Sequence, residues 1–172
     1  MKAEEKGQLP MMKHSAIVAM TLFALQAYAL TAPKMAGFEI GEKIDVLDKN
    51  VRSARHLAAP MTETLAQVKY SYFACDSTKP AEGYDEVSVA VSTNKTVLCI
   101  YSTVKCKDAD EAKRKGEEIA AKLKSEYAGR ITDDGATRLK VSSGDAYVDI
   151  ELAAEEFWKN TDENNRLAAG GK

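Results

Sequence analysis

Valines 87, 89 and 91 alternate with Glu86, Ser88 and the small Ala90 in the middle of the chain. A period of two sends successive side chains to opposite faces, so residues 85–92 are predicted to form a strand with one wet face. Asn94-Lys95 reads as the turn, and residues 96–104 return as a second strand. A two-residue turn sets Val91 against Leu98 and Val89 against Ile100. A slip of one would put Cys99 and Tyr101 on that side instead. Upstream, residues 67–75 hold Val68, Tyr70, Tyr72 and Phe73 without helix signals, which predicts a further strand before a loop at 76–83.

The period then changes from two to three and four. Ala112, Gly116, Ile119, Ala120, Leu123 and Tyr127 mark one helical face. Asp108 with Glu111 has the spacing of a capping box, and Gly129 stands where helices commonly stop. Gly116 lies on the buried stripe, which implies a close approach between helix and sheet. Alternation resumes at Leu139 and Val141, passes a Ser143-Gly144-Asp145 turn, and continues through Val148, Ile150 and Leu152. Nearer the start, Phe38-Glu39-Ile40 precedes Gly41 as a short strand and turn. Ile44, Leu47, Val51, Ala54 and Leu57 outline a helix from Lys43 that ends before Pro60, with Val46 off its stripe. The expectation is an α+β fold: an antiparallel sheet of about five strands in two hairpin units, with a long helix on one face. The helices are expected on one side, and a short one follows from Ala153.

The start of the chain carries a different signal. Lys13 precedes an apolar run at residues 16–25, followed by Ala27-Tyr28-Ala29. A basic head, apolar core and small-x-small exit are the marks of a secretory signal peptide. Glu4 and Glu5 are out of place ahead of such a core, which puts the true start at Met11 or Met12. The alternative, an uncleaved anchor, fits less well, because a spanning helix needs about 20 apolar residues. The expected organisation is a signal peptide at 1–29, a flexible lead-in at 30–36, one α+β domain at 37–159 and a polar, disordered tail at 160–172. The mature chain is then periplasmic or secreted, without a stable membrane anchor.

Charge narrows the partners. The 24 Lys/Arg and 26 Asp/Glu of the whole chain lose Lys2, Lys6, Lys13, Glu4 and Glu5 with the leader. A mildly acidic balance with scattered lysines does not suit nucleic acid, which calls for clustered basic residues. The cysteines Cys75, Cys99 and Cys106 have neither CxxC nor zinc-finger spacing. Along one strand Cys99 and Cys106 would stand roughly 23 Å apart at ~3.3 Å per residue. Cys75 and Cys106 end their strands at the expected same edge, so in an oxidising compartment they form the expected disulfide, with Cys99 free and buried. Three reduced thiols in the core are the alternative.

Candidate chemistry is thin. His56, the only histidine after the leader, sits in an ordinary helical context. Asp133-Asp134 resembles a turn, without the spaced oxygen ligands of a calcium loop. Asp149/Glu151 and Glu155-Glu156 supply carboxylate pairs, yet alternating acids on a strand are usual on a wet face. No glycine-rich phosphate cradle is present, so no catalytic residue, metal ligand or cofactor is expected. Tyr70, Tyr72, Phe73, Tyr84 and Trp158 are the candidate partner-binding residues; packing in the core is the plainer use of such aromatics.

Phe38-Glu39-Ile40-Gly41, Val87-Ser88-Val89, Val97-Leu98-Cys99-Ile100-Tyr101 and a helix ending Leu123-Lys124-Ser125-Glu126-Tyr127 together resemble small exported bacterial α+β domains of unknown function. The resemblance spans residues 37–152 and rests on strand patterns, so it implies a fold without an active site. The leading expectation is an exported accessory domain that binds a protein partner or ligand in the cell envelope. The alternatives are a carboxylate-dependent envelope hydrolase, which needs two acids converging in a cleft, and a small-molecule carrier with a cavity between helix and sheet.

Overall fold

Two antiparallel sheets and three helices make up the residues that the structure, a computed structural model, describes: 31–133 and 135–171. The expected leader at 1–29 and the first lead-in residue lie outside the described residues. Among those described, no helix is long and apolar enough to cross a membrane. A two-residue hairpin joins β1 (Lys34–Met35) to β2 (Phe38–Glu39), so regular pairing already begins within the expected lead-in. The main sheet comprises β3 (Met61–Leu65), β4 (Tyr70–Asp76), β5 (Glu86–Ser92), β6 (Val97–Lys105), β7 (Thr137–Ser143) and β8 (Tyr147–Ala154). Its order is β3-β4-β5-β6-β8-β7, antiparallel throughout. There are thus six strands where about five were expected. The added one, β3, is an edge strand with its first four residues exposed, so burial imposes no alternation on its sequence.

The chain crosses from β6 through a helix to β7 and then folds back, which slots β8 between β6 and β7. That crossover is α2 (Ala109–Glu126). The Asp108 carboxylate accepts from the Glu111 N–H at 2.8 Å, and Glu111 in turn accepts from the Lys107 N–H at 2.8 Å. The reciprocal cap forms as the spacing predicts, with its return bond one residue earlier. Ala112, Gly116 and Leu123 face inward along the predicted stripe.

The first helix is shorter than its periodicity suggests. Only α1 (Lys49–Arg55) is helical, started by Asp48, whose carboxylate accepts from Asn50 N–H. Residues 41–46 instead run beside the start of β6: Gly41 N–H donates to Val97 O, and Ile44 N–H to Lys95 O. In that extended stretch Ile44 and Val46 share the buried side, whereas Leu47 is 62% exposed. A period of two had been masked by a coincidental spacing of three.

The β5–β6 hairpin differs from its predicted register in one detail. Val89 opposes Ile100 as expected, but Val91 opposes Val97 across an irregularity at Ala90/Val91. Thr93-Asn94-Lys95 form a three-residue loop, closed by Ser92 N–H donating to Thr96 O, with Lys95 at φ 65°. Loops of this length commonly end in a left-handed residue beside a bulge, which here turns Leu98 toward the other face.

The two faces of the sheet build separate cores. The inner one gathers Val87, Val89, Val91, Ile100, Val104, Val148, Ile150 and Leu152 beneath α2 and the N-terminal segment. The outer one gathers Tyr72, Ala90, Leu98, Cys99 and Ala153 beneath Phe157 and Trp158 of α3 (Glu155–Ala168). The helices therefore cover both faces and not one. The tail expected to be disordered from residue 160 continues as α3 to Ala168. Arg138 and Asp162 hold it there in a two-bond contact of 2.7 and 3.0 Å, a fixing that its polar composition did not reveal.

Candidate functional site

Helix α3 covers only part of the outer face, and the part left open is polar. Antiparallel register fixes what lies there, because directly opposed residues project to the same side. Asp76, Ser88, Tyr101, Glu151 and Lys140 oppose one another in turn and form one row across β4, β5, β6, β8 and β7. Glu86, Thr103, Asp149 and Ser142 form the next. The adjacent row on the other side, Ala74, Ala90, Cys99, Ala153 and Arg138, lies toward α3. Small residues there leave room for the helix aromatics to approach the sheet.

Two adjoining clefts mark the open half. One, of about 360 Å³, is lined by Asp76, Asp85, Glu86, Ser88, Tyr101 and Thr103. The other, of about 370 Å³, is lined by Tyr101, Thr103, Lys140, Ser142, Asp149 and Glu151. Tyr101 and Thr103 are common to both and separate them as a ridge. Thr103 Oγ1 donates to Asp149 Oδ1 at 2.9 Å, which sets that carboxylate's position. Asp85 Oδ2 accepts from the Lys105 N–H at 2.6 Å, and Lys105 Nζ lies 3.4 Å from the Glu86 carboxylate. Five carboxylates thus face this region, against Lys140 within the clefts and Lys105 at their margin.

Glu151 is the least comfortable of them. Burial pushes its pKa above the ordinary glutamate range, against the pull of Lys140 and Arg138. A raised folded-state pKa means that the folded protein holds the proton more tightly than the unfolded chain does. Ionisation of Glu151 therefore costs stability at neutral pH, and that cost disappears below the unfolded-state pKa. Glu151→Gln is expected to melt at a higher temperature than the parent at pH 7. The advantage should shrink to nothing as pH falls through the glutamate range, which thermal melts from pH 3 to 7 will check.

The sequence-nominated aromatics do not form one surface. Tyr70, Tyr72 and Trp158 belong to the outer cluster; Phe73 and Tyr84 pack against the inner one. Tyr72 meets Phe157 edge-on at 5.2 Å and donates its hydroxyl to Glu63 Oε2 at 2.7 Å. Burial, then Glu63, pushes its phenol up, and burial pushes Tyr70 up to about 12. Tyr84 lines a third groove, of about 540 Å³, with Met35, Ile119, Leu123 and Tyr127. It lies between α2 and the β1–β2 hairpin, and not between the helix and the main sheet, where the carrier alternative called for a cavity. Tyr101, which was not among the candidate partner-binding residues, is the aromatic at the open clefts.

Cys75, Cys99 and Cys106 are free thiols, so the expected Cys75–Cys106 disulfide is not formed. Register gives the reason. Cys75 opposes Val89, which opposes Ile100, so Cys106 lies six residues farther along β6 than the level of Cys75. That is about 20 Å of strand, against a Cα separation of less than about 7 Å for a disulfide. Cys75 is fully buried, with its pKa pushed up to about 11 by burial; Cys99 is fully buried on the opposite face. Thiol titration of unreduced protein in denaturant is expected to count three thiols per chain; a count of one would restore the bridge.

His56 caps α1 in the left-handed region at φ 53° and is exposed. Asp133 is exposed beside residue 134, which lies outside the described residues. Among the described residues, no group of three or more His, Cys, Asp or Glu side chains is arranged to hold a metal ion. The chain matches no family model, no curated protein and no solved structure.

Proposed function

We propose that this chain is an exported accessory domain without catalytic activity, which engages an envelope protein through the open half of its outer sheet face. The observation that carries the reading is the acidic, register-aligned surface around Tyr101, bounded on one side by α3 and left uncovered on the other. Its carboxylates favour a partner that presents lysines or arginines, since complementary charge steers encounter and fixes orientation. Tyr101 supplies a half-buried aromatic at the centre, the residue type most often found among strong interface anchors. The leader read at residues 11–29 supports a periplasmic or secreted location.

Capture from an envelope extract tests the reading. Wild-type protein should retain a basic partner at low salt and release it as ionic strength rises. A Glu86→Lys/Asp149→Lys variant should lose that partner while keeping its melting temperature. Equal retention by both proteins would refute the assignment.

A carboxylate-dependent hydrolase is the second reading. It is favoured by Asp149 and Glu151 lining one cleft while burial raises the pKa of Glu151. Pairs of carboxyl groups with divergent pKa values are the usual equipment of acid–base catalysis. In that case Glu151→Gln would abolish turnover of a scissile envelope substrate. A binding domain would show no turnover in either form.

A further inference from the structure

We propose that α3 is a releasable cover: it lifts from the outer face while the rest of the fold stays intact, exposing a trough of small residues that continues into the open clefts.

The division of the two cores is the first support. Phe157 and Trp158 hold α3 down within the outer cluster, whereas the large inner cluster lies on the opposite face. Removing α3 therefore leaves the packing of α2 against β7 and β8 in place. Cooperative units that open below the global transition are commonly drawn from elements attached in this manner.

Unmatched polar atoms are the second. Four buried side-chain polar atoms lack a hydrogen-bond partner among the described residues, and three of them belong to the α3 seat: Tyr70 Oη, Arg138 Nε and Trp158 Nε1. Tyr70 and Trp158 are members of the outer cluster. The Arg138 guanidinium lies over the Trp158 ring at 4.7 Å. Each of the three carries a donor proton that water would satisfy if α3 rose, so part of the cost of opening is repaid.

The attachments are the third. Ala154 starts α3 without a side-chain cap, so beyond the Glu155 N–H bond to Ala136 O no capping bond holds the helix N-terminus. The polar fastenings are the Glu155 N–H donating to Ala136 O at 2.9 Å, the Arg138–Asp162 pair and an N–H of Gln67 donating to Asn164 Oδ1 at 3.0 Å. Asp162 is half exposed, so salt reaches the carboxylate side of this latch, while the Arg138 side chain is mostly buried. Beneath lie the small residues Ala74, Ala90, Cys99 and Ala153, together with Tyr72 and Leu98 of the same cluster. Tyr101 borders both regions: its ring meets Phe157 at 6.3 Å, and it lines both open clefts.

The protein carries its own reporters. Cys99 lies under the cover and Cys75 on the opposite face, both essentially unexposed. Native protein is treated with a thiol-alkylating reagent at pH 8, and modification of each cysteine is followed by peptide mass mapping. Partial opening should modify Cys99 at least ten-fold faster than Cys75. Asp162→Asn should accelerate Cys99 several-fold further and leave Cys75 unchanged. Amide hydrogen exchange gives a second readout, with residues 155–168 expected to exchange ahead of α2. Modification of Cys99 and Cys75 at one common rate, or an Asp162→Asn rate equal to the parent's, would overturn the proposal. Neither result depends on what the open half of the face binds.

Discussion

Gly116→Leu is expected to lower stability by about 3 kcal/mol, the upper part of the range for forcing extra volume into a packed core. For a domain of this size that is a fall of roughly 10 °C in melting temperature. A Cβ at Gly116 would stand 2.7 Å from Ser143 Oγ, 3.4 Å from Val141 Cγ1 and 3.5 Å from Val148 Cγ1. Ser143 is exposed and its hydroxyl donates to Ala112 O at 3.3 Å, so the nearest of these contacts can rotate away. Gly116→Ala therefore stays near neutral: the clash is offset by the ~1 kcal/mol that alanine contributes over glycine in a helix. A leucine has no such escape, because its branch meets both valines. Adding Ser143→Ala should improve the alanine variant and do little for the leucine one. Thermal melts of the four proteins will check this, and an unchanged melting temperature for Gly116→Leu would reject the close approach.

Ile100→Ala should cost about 4 kcal/mol, within the range for truncating a fully buried aliphatic side chain. Ile100 has no exposed surface and stands on β6 between Val89 and Leu152. Neighbouring strands hold the backbone on both sides, so the site has little freedom to collapse around the lost atoms. Ile100→Val should cost only about 1 kcal/mol. Met61→Ala, at a side chain 59% exposed, should change almost nothing. Denaturant unfolding of the three variants supplies the comparison.

The same contrast explains which parts of the fold the sequence disclosed. Val87, Val89 and Val91 show a period of two because all three enter the inner core, while the outer face of β5 is open and polar only at Glu86 and Ser88 and is covered at Ala90. Asp108, Glu111 and Gly116 disclosed α2 because capping and close approach both constrain residue type. Met61-Thr62-Glu63-Thr64-Leu65 carried no comparable trace, since the exposed β3 answers to no core. Ile44 and Val46 were misread because a few apolar residues can satisfy two periods at once, and the partner strand that decides between them is fifty residues away.

The open clefts were less legible than the fold. Asp149 and Glu151 were visible as alternating acids, and nothing local set them apart from any solvated strand. Their company with Ser88, Tyr101 and Lys140 depends on β8 lying between β6 and β7, a matter of topology that no short window records. One signal did exist. Val148, Ile150, Leu152 and Ala153 are all essentially buried, and apolar residues on both parities at the end of β8 mark a strand with neighbours on each side and covering on both faces. The misassigned Cys75–Cys106 bridge failed for a related reason, because strand ends were matched without the register that sets their levels.

The exposed edge at β3 bears on how copies of this chain meet. If two β3 strands approached antiparallel and centred on each other, Glu63 would face Glu63. Like charges directly opposed destabilise such a pair. Tyr72 donates to that carboxylate from the neighbouring strand and helps to fix its position. An open sheet edge is ordinarily an invitation to grow by strand addition. Here its central residue works against self-assembly, while a strand from another protein with lysine or arginine at the matching position would find an attraction there instead.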